Sequence, residues 1–207
     1  QSRAAGDIPP VFVEPRTAAA LHRELLATGR GDEVTHAHQR AAEYWQWRAT
    51  AWPQDQDADV HDLLEARYHQ HEAGGSRQAI ALTEMICAQL HAWGASVASG
   101  EPVLRVLDPE ALHVTLVFLG HRPEGESARI AAVVRACAGP AADLAIGPAL
   151  LLPPRRARVL CAEVVDGSGA LAALQARLVA ALAQAGLHEP ERRRFRPHAT
   201  VARLRAG

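Results

Sequence analysis

The tripeptide His-x-Thr occurs twice in this chain, each time inside a short apolar run. The first run covers residues 112–116 and the second residues 197–201, so the two histidines are eighty-five positions apart. Alternate side chains of an extended strand point to opposite faces, so the histidine and threonine of each motif share one face. The aliphatic neighbours share the other face. Two strands with the same polar pair predict a symmetric site above a buried core.

The residue types in the two motifs favour acid and base chemistry on an anion. Histidine changes charge near neutral pH, so one imidazole of a facing pair can act as a base and the other as an acid. The candidate pair is His113 and His198. The hydroxyl groups of Thr115 and Thr200 can donate hydrogen bonds to the oxygens of a phosphodiester between them. Arg196 shares the strand face of His198, and its guanidinium group can neutralise the phosphate charge.

The composition is that of an ordinary globular protein, with 48% hydrophobic and 22% charged residues. No run approaches the roughly 18 apolar residues that a membrane span needs, and no signal-peptide pattern opens the chain. Cys87, Cys137 and Cys161 stand singly, without the spacing of metal ligands. We therefore expect a cytoplasmic protein with reduced thiols, no membrane association, and no metal or other cofactor.

The two halves of the chain differ in charge and in aromatic content. Residues 1–96 hold eight arginines against thirteen acidic residues, whereas residues 97–207 hold fourteen arginines against ten acidic residues. All four tryptophans and both tyrosines lie between Tyr44 and Trp93. We predict a domain boundary after residue 96, with the small and polar residues 95–100 as a linker. The basic second half could attract an anion.

Residues 1–96 show the periodicity of helices after a possible short strand at residues 11–13. Four helices are predicted, at about residues 17–28, 35–52, 60–73 and 76–93. Helices of similar length joined by short turns pack antiparallel, so this half is predicted to be a small all-α bundle. Trp45 and Trp52 lie on one helical stripe and are interpreted as bundle core.

Two further sets of ionisable residues form patterns that are less specific for a function. His61, Glu65, His69 and Glu72 share one helical face at the spacing of metal ligands, but this pattern is more often the solvent face of a helix. We interpret it as the solvent face. The basic run at residues 192–194 is either a solvated loop or a contact to a nucleic-acid backbone, and both alternatives stay open.

From Val103 onwards the periodicity changes towards that of strands. Strands are predicted at residues 103–107, 112–119, 144–146, 158–165 and 195–204, and helices at residues 127–137 and 169–185. Alternating strands and helices are typical of an α+β or α/β sandwich.

Residues 103–205 resemble the two-histidine phosphoesterases. The resemblance is carried by Leu-His-Val-Thr-Leu-Val-Phe-Leu-Gly at residues 112–120, Pro-Arg-Arg-Ala-Arg-Val-Leu at 154–160, and Arg-Phe-Arg-Pro-His-Ala-Thr at 194–200. The segment is most similar to the bacterial RNA 2′,3′-cyclic phosphodiesterases, also called 2′-5′ RNA ligases. This resemblance implies a bilobal, pseudo-twofold α+β fold with antiparallel sheets, in which both motifs line a central cleft. Here that fold would follow the all-α segment.

The resemblance also implies a function, namely metal-independent opening of 2′,3′-cyclic phosphates in RNA ends or nucleotides. One of His113 and His198 would activate water and the other would protonate the leaving oxygen, while Thr115 and Thr200 would hold the non-bridging oxygens. The candidate substrate-binding residues are Phe118, Arg155, Arg156, Arg158, Phe195 and Arg196. The alternative is a non-catalytic nucleotide sensor whose helical half docks a protein partner.

The start of the chain departs from the family pattern. Family members open with a strand and a helix before the first motif, and the residues that precede His113 do not match that start. Residues 11–13 and the first helix could supply these elements, with residues 30–97 as an insertion. Alternatively, residues 10–95 are similar to tetratricopeptide-like helical segments of bacterial signalling NTPases and are fused to a phosphoesterase lobe without its first strand. The shift in composition near residue 96 favours the fusion.

Overall fold

The computed structural model describes residues 15–51, 56–139, 144–190 and 193–205. The helices are α1 (Pro15–Ala27), α2 (Gly31–Ala51), α3 (Gln56–Glu72), α4 (Ser76–Ser99), α5 (Ser127–Ala136) and α6 (Ala170–Gln184), and the strands are β1 (Leu104–Val106), β2 (Leu144–Leu152), β3 (Val159–Asp166) and β4 (His198–Leu204). The predicted α+β class with an all-α N-terminal segment is confirmed. The possible strand at residues 11–13, Trp52, and the first arginine of the run at 192–194 lie outside the described residues.

The four strands form one antiparallel sheet in the order β1-β4-β3-β2. Strand β4 is therefore central, with β1 on one side and β3 on the other. Strands β2 and β3 are joined by a turn in which the Arg158 N–H donates to the carbonyl oxygen of Leu152 at 2.8 Å. The second His-x-Thr motif opens the central strand and so starts from a rigid position.

Helices α3 and α4 pack against the sheet and share one hydrophobic core with it. The buried members of this core are Val60, Leu63, Ala66, Leu82, Ile86, Leu90, Leu112, Leu160, Ala162, Val201 and Ala202. Trp45 of α2 is partly buried against the same cluster, in agreement with its interpretation as core. The helical segment therefore covers one face of the sheet.

The linker predicted at residues 95–100 is wrong, because α4 runs without a break to Ser99. Gly94 does not end the helix but lies where α4 comes closest to the sheet. A Cβ atom at this position would lie 3.4 Å from the Cβ of Val201 and 3.5 Å from Cγ1 of Val106. These are ordinary van der Waals distances, so Gly94 lies inside the helix at its contact with the sheet and does not mark a turn.

The strand predicted at residues 112–119 is also wrong, apart from a single bridge at Val114. Leu112 is buried in the core beneath the sheet. Leu116, Val117 and Leu119 pack instead against a second cluster, whose buried members are Leu178 and Leu182 of α6 and Leu187, three residues after that helix. The apolar residues of this segment pack into two different cores. Their spacing therefore resembles the alternation of a regular strand, although no regular strand forms.

The remaining differences are shifts of element ends. Helix α2 begins at Gly31 rather than Thr35, and its first turn carries Asp32 and Glu33, which are favourable at a helix N-terminus. Helix α3 begins at Gln56 rather than near residue 60, and β2 extends to Leu152 because it pairs with β3 on both sides of an irregularity at residues 147–148. No described helix is long and apolar enough to cross a membrane.

The interpretation of His69 as part of a solvent face is wrong. This residue packs between helices. Its Nδ1 lies 2.8 Å from Nδ1 of His38 on α2, so one of the two nitrogens donates and the other accepts. Both rings cannot carry a proton on Nδ1 while this bond exists. The groups around the pair are His22 on α1 and Tyr68, Glu72 and Glu65 on α3.

We expect the free energy of unfolding to decrease as the pH falls below about 6.5, the usual pKa of histidine in an unfolded chain. Burial lowers the pKa of His38, with a smaller opposing contribution from Glu72. A group whose pKa is lowered in the folded protein binds its proton more readily in the unfolded chain. Its contribution to the free energy of unfolding is complete above a pH of about 6.5 and is lost as the pH falls from there through the lower pKa of the folded state. Because His38 is only half-buried, the slope should stay well below about 1.4 kcal/mol per pH unit.

Urea unfolding followed by tryptophan fluorescence between pH 5 and 8 measures this dependence. In the variant His38→Gln the free energy of unfolding should depend less steeply on pH. His36 is exposed on the same helix, so the variant His36→Gln should have the same pH dependence as the wild type. Equal slopes in wild type and His38→Gln would contradict the assignment.

Candidate active site

The central residues of the two His-x-Thr motifs, Val114 and Ala199, pair directly in antiparallel orientation. This pairing places His113 beside Thr200. By the same register Thr115 lies beside His198, and all four polar side chains share one face. The burial agrees, because Ala199 is buried while His113 and Thr115 are exposed. The structure thus brings the four predicted residues of the two motifs together.

The arrangement has approximate two-fold symmetry about the bridge. The two histidines are diagonal neighbours across the paired segments, and such residues are roughly 7–8 Å apart. Each histidine has the threonine of the other motif beside it. An anion above the bridge would therefore have an imidazole at either end and a hydroxyl group on either side.

Both motif histidines make the same hydrogen bond to their own backbone. The Nδ1–H of His113 donates to the carbonyl oxygen of Ala111 at 2.8 Å, and the Nδ1–H of His198 donates to that of Arg196 at 2.7 Å. A carbonyl oxygen only accepts, so each neutral ring carries its proton on Nδ1. The Nε2 atom of each ring is left for exchange of a proton with a substrate.

Strand β3 supports the second motif through two residues that are not among the site residues predicted from the sequence. Glu163 lies opposite His198 and Cys161 opposite Thr200 in the β3–β4 register. The Sγ of Cys161 is 3.6 Å from Oγ1 of Thr200. Burial raises the pKa of the Cys161 thiol, which keeps it neutral and able to donate to the hydroxyl oxygen. Thr200 can then direct its own hydrogen to an anion.

Arg196 lies beside the site and is already paired with a carboxylate. Its Nη2 is 3.6 Å from Oε1 of Glu163, and both side chains are partly exposed. Because the guanidinium group has five N–H donors, this single contact leaves several of them for an anion. The alternation of residues 159–166 could have revealed Glu163, since it places this carboxylate on the same strand face as Cys161.

The aromatic candidates lie at the margins of the site. Phe118 follows the paired part of the first motif and is 74% exposed. Phe195 is half-buried and lines a shallow depression with Arg194, Pro197 and Asp166. Neither ring belongs to the group of four motif side chains.

The arginines of the β2–β3 turn are not at the histidine pair. Arg155, Arg156 and Arg158 lie next to Val159, which pairs with Arg203 near the far end of β4. Five residues of extended strand separate Arg203 from His198, on the order of 17 Å. The resemblance implied a substrate contact for these residues, and the structure places them along the strand from the site rather than in it.

Among the described residues, no group of three or more histidine, cysteine or acidic side chains is arranged to hold a metal ion. The predicted helical set at residues 61–72 is therefore not assembled as a metal site in this part of the chain.

Comparisons with known proteins identify the family. The family model of the 2'-5' RNA ligase superfamily matches residues 84–206, a segment that begins within α4 and includes both motifs. No curated protein shows a significant match to the chain. A similar solved structure is TT0787 of Thermus thermophilus, with 26% identity, a TM-score of 0.49, and coverage of 60% of this chain and 70% of that chain. The chain belongs to the 2'-5' RNA ligase superfamily.

Proposed function

We propose that this protein is a phosphoesterase that opens 2′,3′-cyclic phosphates of RNA ends or nucleotides. The observation that carries the proposal is the matching Nδ1–H hydrogen bond in the two motifs, to Ala111 in one and to Arg196 in the other. It leaves the Nε2 atoms of His113 and His198 as a pair of proton-exchanging groups. A facing pair of this kind suits a reaction that needs one base and one acid.

In the proposed reaction a water molecule attacks the phosphorus atom of the cyclic diester. Nε2 of one histidine accepts a proton from the water as the new P–O bond forms. The bond from phosphorus to the 2′ or 3′ oxygen breaks, and the Nε2–H of the other histidine protonates that oxygen. The product is a phosphate monoester. Attacking and leaving oxygens lie roughly in line in phosphoryl transfer, and the diagonal placement of the histidines suits this requirement.

The hydroxyl groups of Thr115 and Thr200 would stabilise the charge on the non-bridging oxygens. Donors that are already oriented in the free protein are most effective for this purpose, since they need no reorganisation during the reaction. Thr200 is oriented by its contact with Cys161. Arg196 would add a positive charge beside the phosphate.

The direct test is to incubate the purified protein with each of the four nucleoside 2′,3′-cyclic phosphates and to separate the products. A nucleoside monophosphate is the expected product. We expect the activity to survive EDTA, because the site already has a base, an acid and hydrogen-bond donors for every step. Loss of turnover in EDTA and its recovery with Zn²⁺ or Mn²⁺ would contradict this mechanism.

The same assay should give a bell-shaped dependence of turnover on pH. One histidine must be neutral and the other protonated, so both acid and alkaline solutions deplete the active form. The acid and alkaline limbs of this pH curve report the coupled titration of the two histidines, and neither limb can be assigned to one residue. A rate that rises to a plateau at high pH would show that no acid is required.

A second candidate function is a nucleotide sensor that docks a protein partner through its helical half. The observation that favours it is the exposure of large apolar side chains on the first two helices, namely Leu21, Leu26, Tyr44 and Trp47. Absence of turnover with all four cyclic nucleotides, together with tight nucleotide binding, would favour the sensor. For either function we propose a cytoplasmic location, where the free Cys87, Cys137 and Cys161 would stay reduced.

A further inference from the structure

The carboxylate of Glu163 lies at the edge of the candidate active site, on strand β3. It is opposite His198 in the β3–β4 register, and its side chain is on the strand face of the motif histidines and threonines. Its Oε1 atom lies 3.6 Å from Nη2 of Arg196, and the side chains of Glu163 and Arg196 are 30% and 48% exposed. The site therefore has a negative charge beside its candidate anion-binding arginine.

The neighbouring strand β2 is irregular directly opposite Glu163. The register of the β2–β3 pair shifts at residues 147–148, so these two residues of β2 together face the single residue Glu163. A bulge of this kind redirects side chains and is common beside active sites. A Cβ atom on Gly147 would lie 3.0 Å from Cγ2 of Val165, 3.2 Å from Cβ of Glu163 and 3.3 Å from its Oε2. These distances are shorter than ordinary contacts, so the bulge and its glycine make room for the carboxylate.

The positive charge of Arg196 acts on the same end of the site. Burial raises the pKa of the Cys161 thiol, and the contact with Thr200 and the charge of Arg196 oppose that rise. Since Cys161 contacts Thr200, an anion at the Thr200 hydroxyl group would also feel the charge of Arg196. Arg203 is three residues further along β4, about 10 Å from Thr200, which exceeds the Debye length of about 8 Å at physiological salt. Its charge is therefore largely screened at the site.

The charges of the site together match a ligand with a single negative charge. Arg196 and Glu163 cancel each other, and the proposed reaction requires one of the two motif histidines to be protonated. One positive charge remains, and it balances the single negative charge of a phosphodiester. A phosphate monoester carries a charge of about −1.5 to −2 at neutral pH, so its additional charge is repelled by the carboxylate.

We propose that Glu163 is a specificity-determining residue that makes the site prefer a monoanionic phosphodiester to a dianionic phosphate monoester. Hydrolysis of a cyclic diester gives a monoester, which loses a further proton above a pH of about 6 and so gains a negative charge. The same carboxylate then favours release of the product. This consequence for the product rests on the proposed function, whereas the charge preference can be measured without turnover.

The test measures Kd by isothermal titration calorimetry at pH 7 for two ligands that share one nucleoside. The first is 2′-deoxycytidine 3′-phosphate, which is mostly a dianion at this pH, and the second is its methyl ester, which is a monoanion. The variant Glu163→Gln removes the carboxylate charge at nearly constant size. The ratio of the two Kd values should change about threefold in favour of the dianion, since an interaction between partly exposed charges is worth about this factor.

Two further variants separate the charge of Glu163 from a structural role. Glu163→Asp keeps the charge and should keep the wild-type ratio of the two Kd values. Glu84→Gln removes the same charge from an exposed position on α4 and should keep this ratio as well. An unchanged ratio in Glu163→Gln would overturn the proposal. An equal shift in Glu163→Asp or in Glu84→Gln would also overturn it, because the shift would not depend on a negative charge at this position.

The role of Glu163 and the proposed function can fail separately. A shifted ratio in Glu163→Gln, in a protein that turns over no cyclic phosphate, would support the role of Glu163 and contradict the phosphoesterase. Turnover of cyclic nucleotides, with the same ratio in Glu163→Gln and the wild type, would support the phosphoesterase and contradict the role of Glu163. Failure of the wild type to bind either ligand would overturn the charge preference.

Discussion

Replacing either His113 or His198 by alanine is expected to lower turnover of a 2′,3′-cyclic nucleotide by about 10²- to 10⁴-fold. Each ring supplies the only Nε2 at its end of the site, so the remaining histidine cannot do both proton transfers. The double variant should lose little more than either single variant, since residues that act as a unit are not additive. Steady-state kinetics at neutral pH measures the turnover of the two single variants and of the double variant.

The matched substitution is asparagine, whose side-chain amide can keep the hydrogen bond to the backbone carbonyl but has no group at the position of Nε2. His198→Asn should therefore be as inactive as His198→Ala, with better retention of the folded structure. His36→Ala, exposed on α2, is the control for the loss of a histidine elsewhere. Wild-type rates in either single variant of the motif histidines would rule out the mechanism.

A fragment of residues 100–207 is expected not to fold, although the shift in composition near residue 96 suggests an independent domain. Removing α3 and α4 deletes Leu63, Leu82, Ile86 and Leu90 from the shared core. Burial of one such side chain is worth about 1.5–3 kcal/mol, so the loss of about 6–12 kcal/mol equals most of the stability of a typical protein. Circular dichroism and size-exclusion chromatography of the fragment measure this.

The control for truncation is a chain that begins at Gly31 and lacks α1. No side chain that the structure describes in α1 belongs to the shared core, so this variant should keep the helix content of its remaining elements and unfold cooperatively. A monomeric fragment of residues 100–207 with a well-dispersed NMR spectrum would instead show that the lobe is an independent domain.

The helices could be predicted with good accuracy because their signals are local. Gly186, which adopts a φ of +68°, ends α6 where expected, and α5 begins at Ser127 as predicted. Leu171, Leu178 and Leu182 recur at helical spacing in α6, and all three are buried. Such patterns depend on spacing and on backbone preferences, which are both visible in the residues themselves.

Features that depend on contacts between distant segments could not be predicted. Gly94 is of a residue type that commonly ends a helix, but it lies within α4 where that helix contacts Val201. His38 and His69 lie on different helices, and only the packing of α2 on α3 brings their Nδ1 atoms together. Arg105 of β1 and Arg203 of β4 are likewise neighbours only because the two strands pair.

By itself the sequence determined the chemistry that is present: two His-x-Thr motifs, their alternation, and a helical segment before them. The tertiary structure decided how the motifs meet. Only the bridge between Val114 and Ala199 shows that they run antiparallel and that each histidine lies beside the other motif's threonine. Alternation specifies the face of a side chain but not the strand beside it, because register depends on packing between segments far apart in the chain.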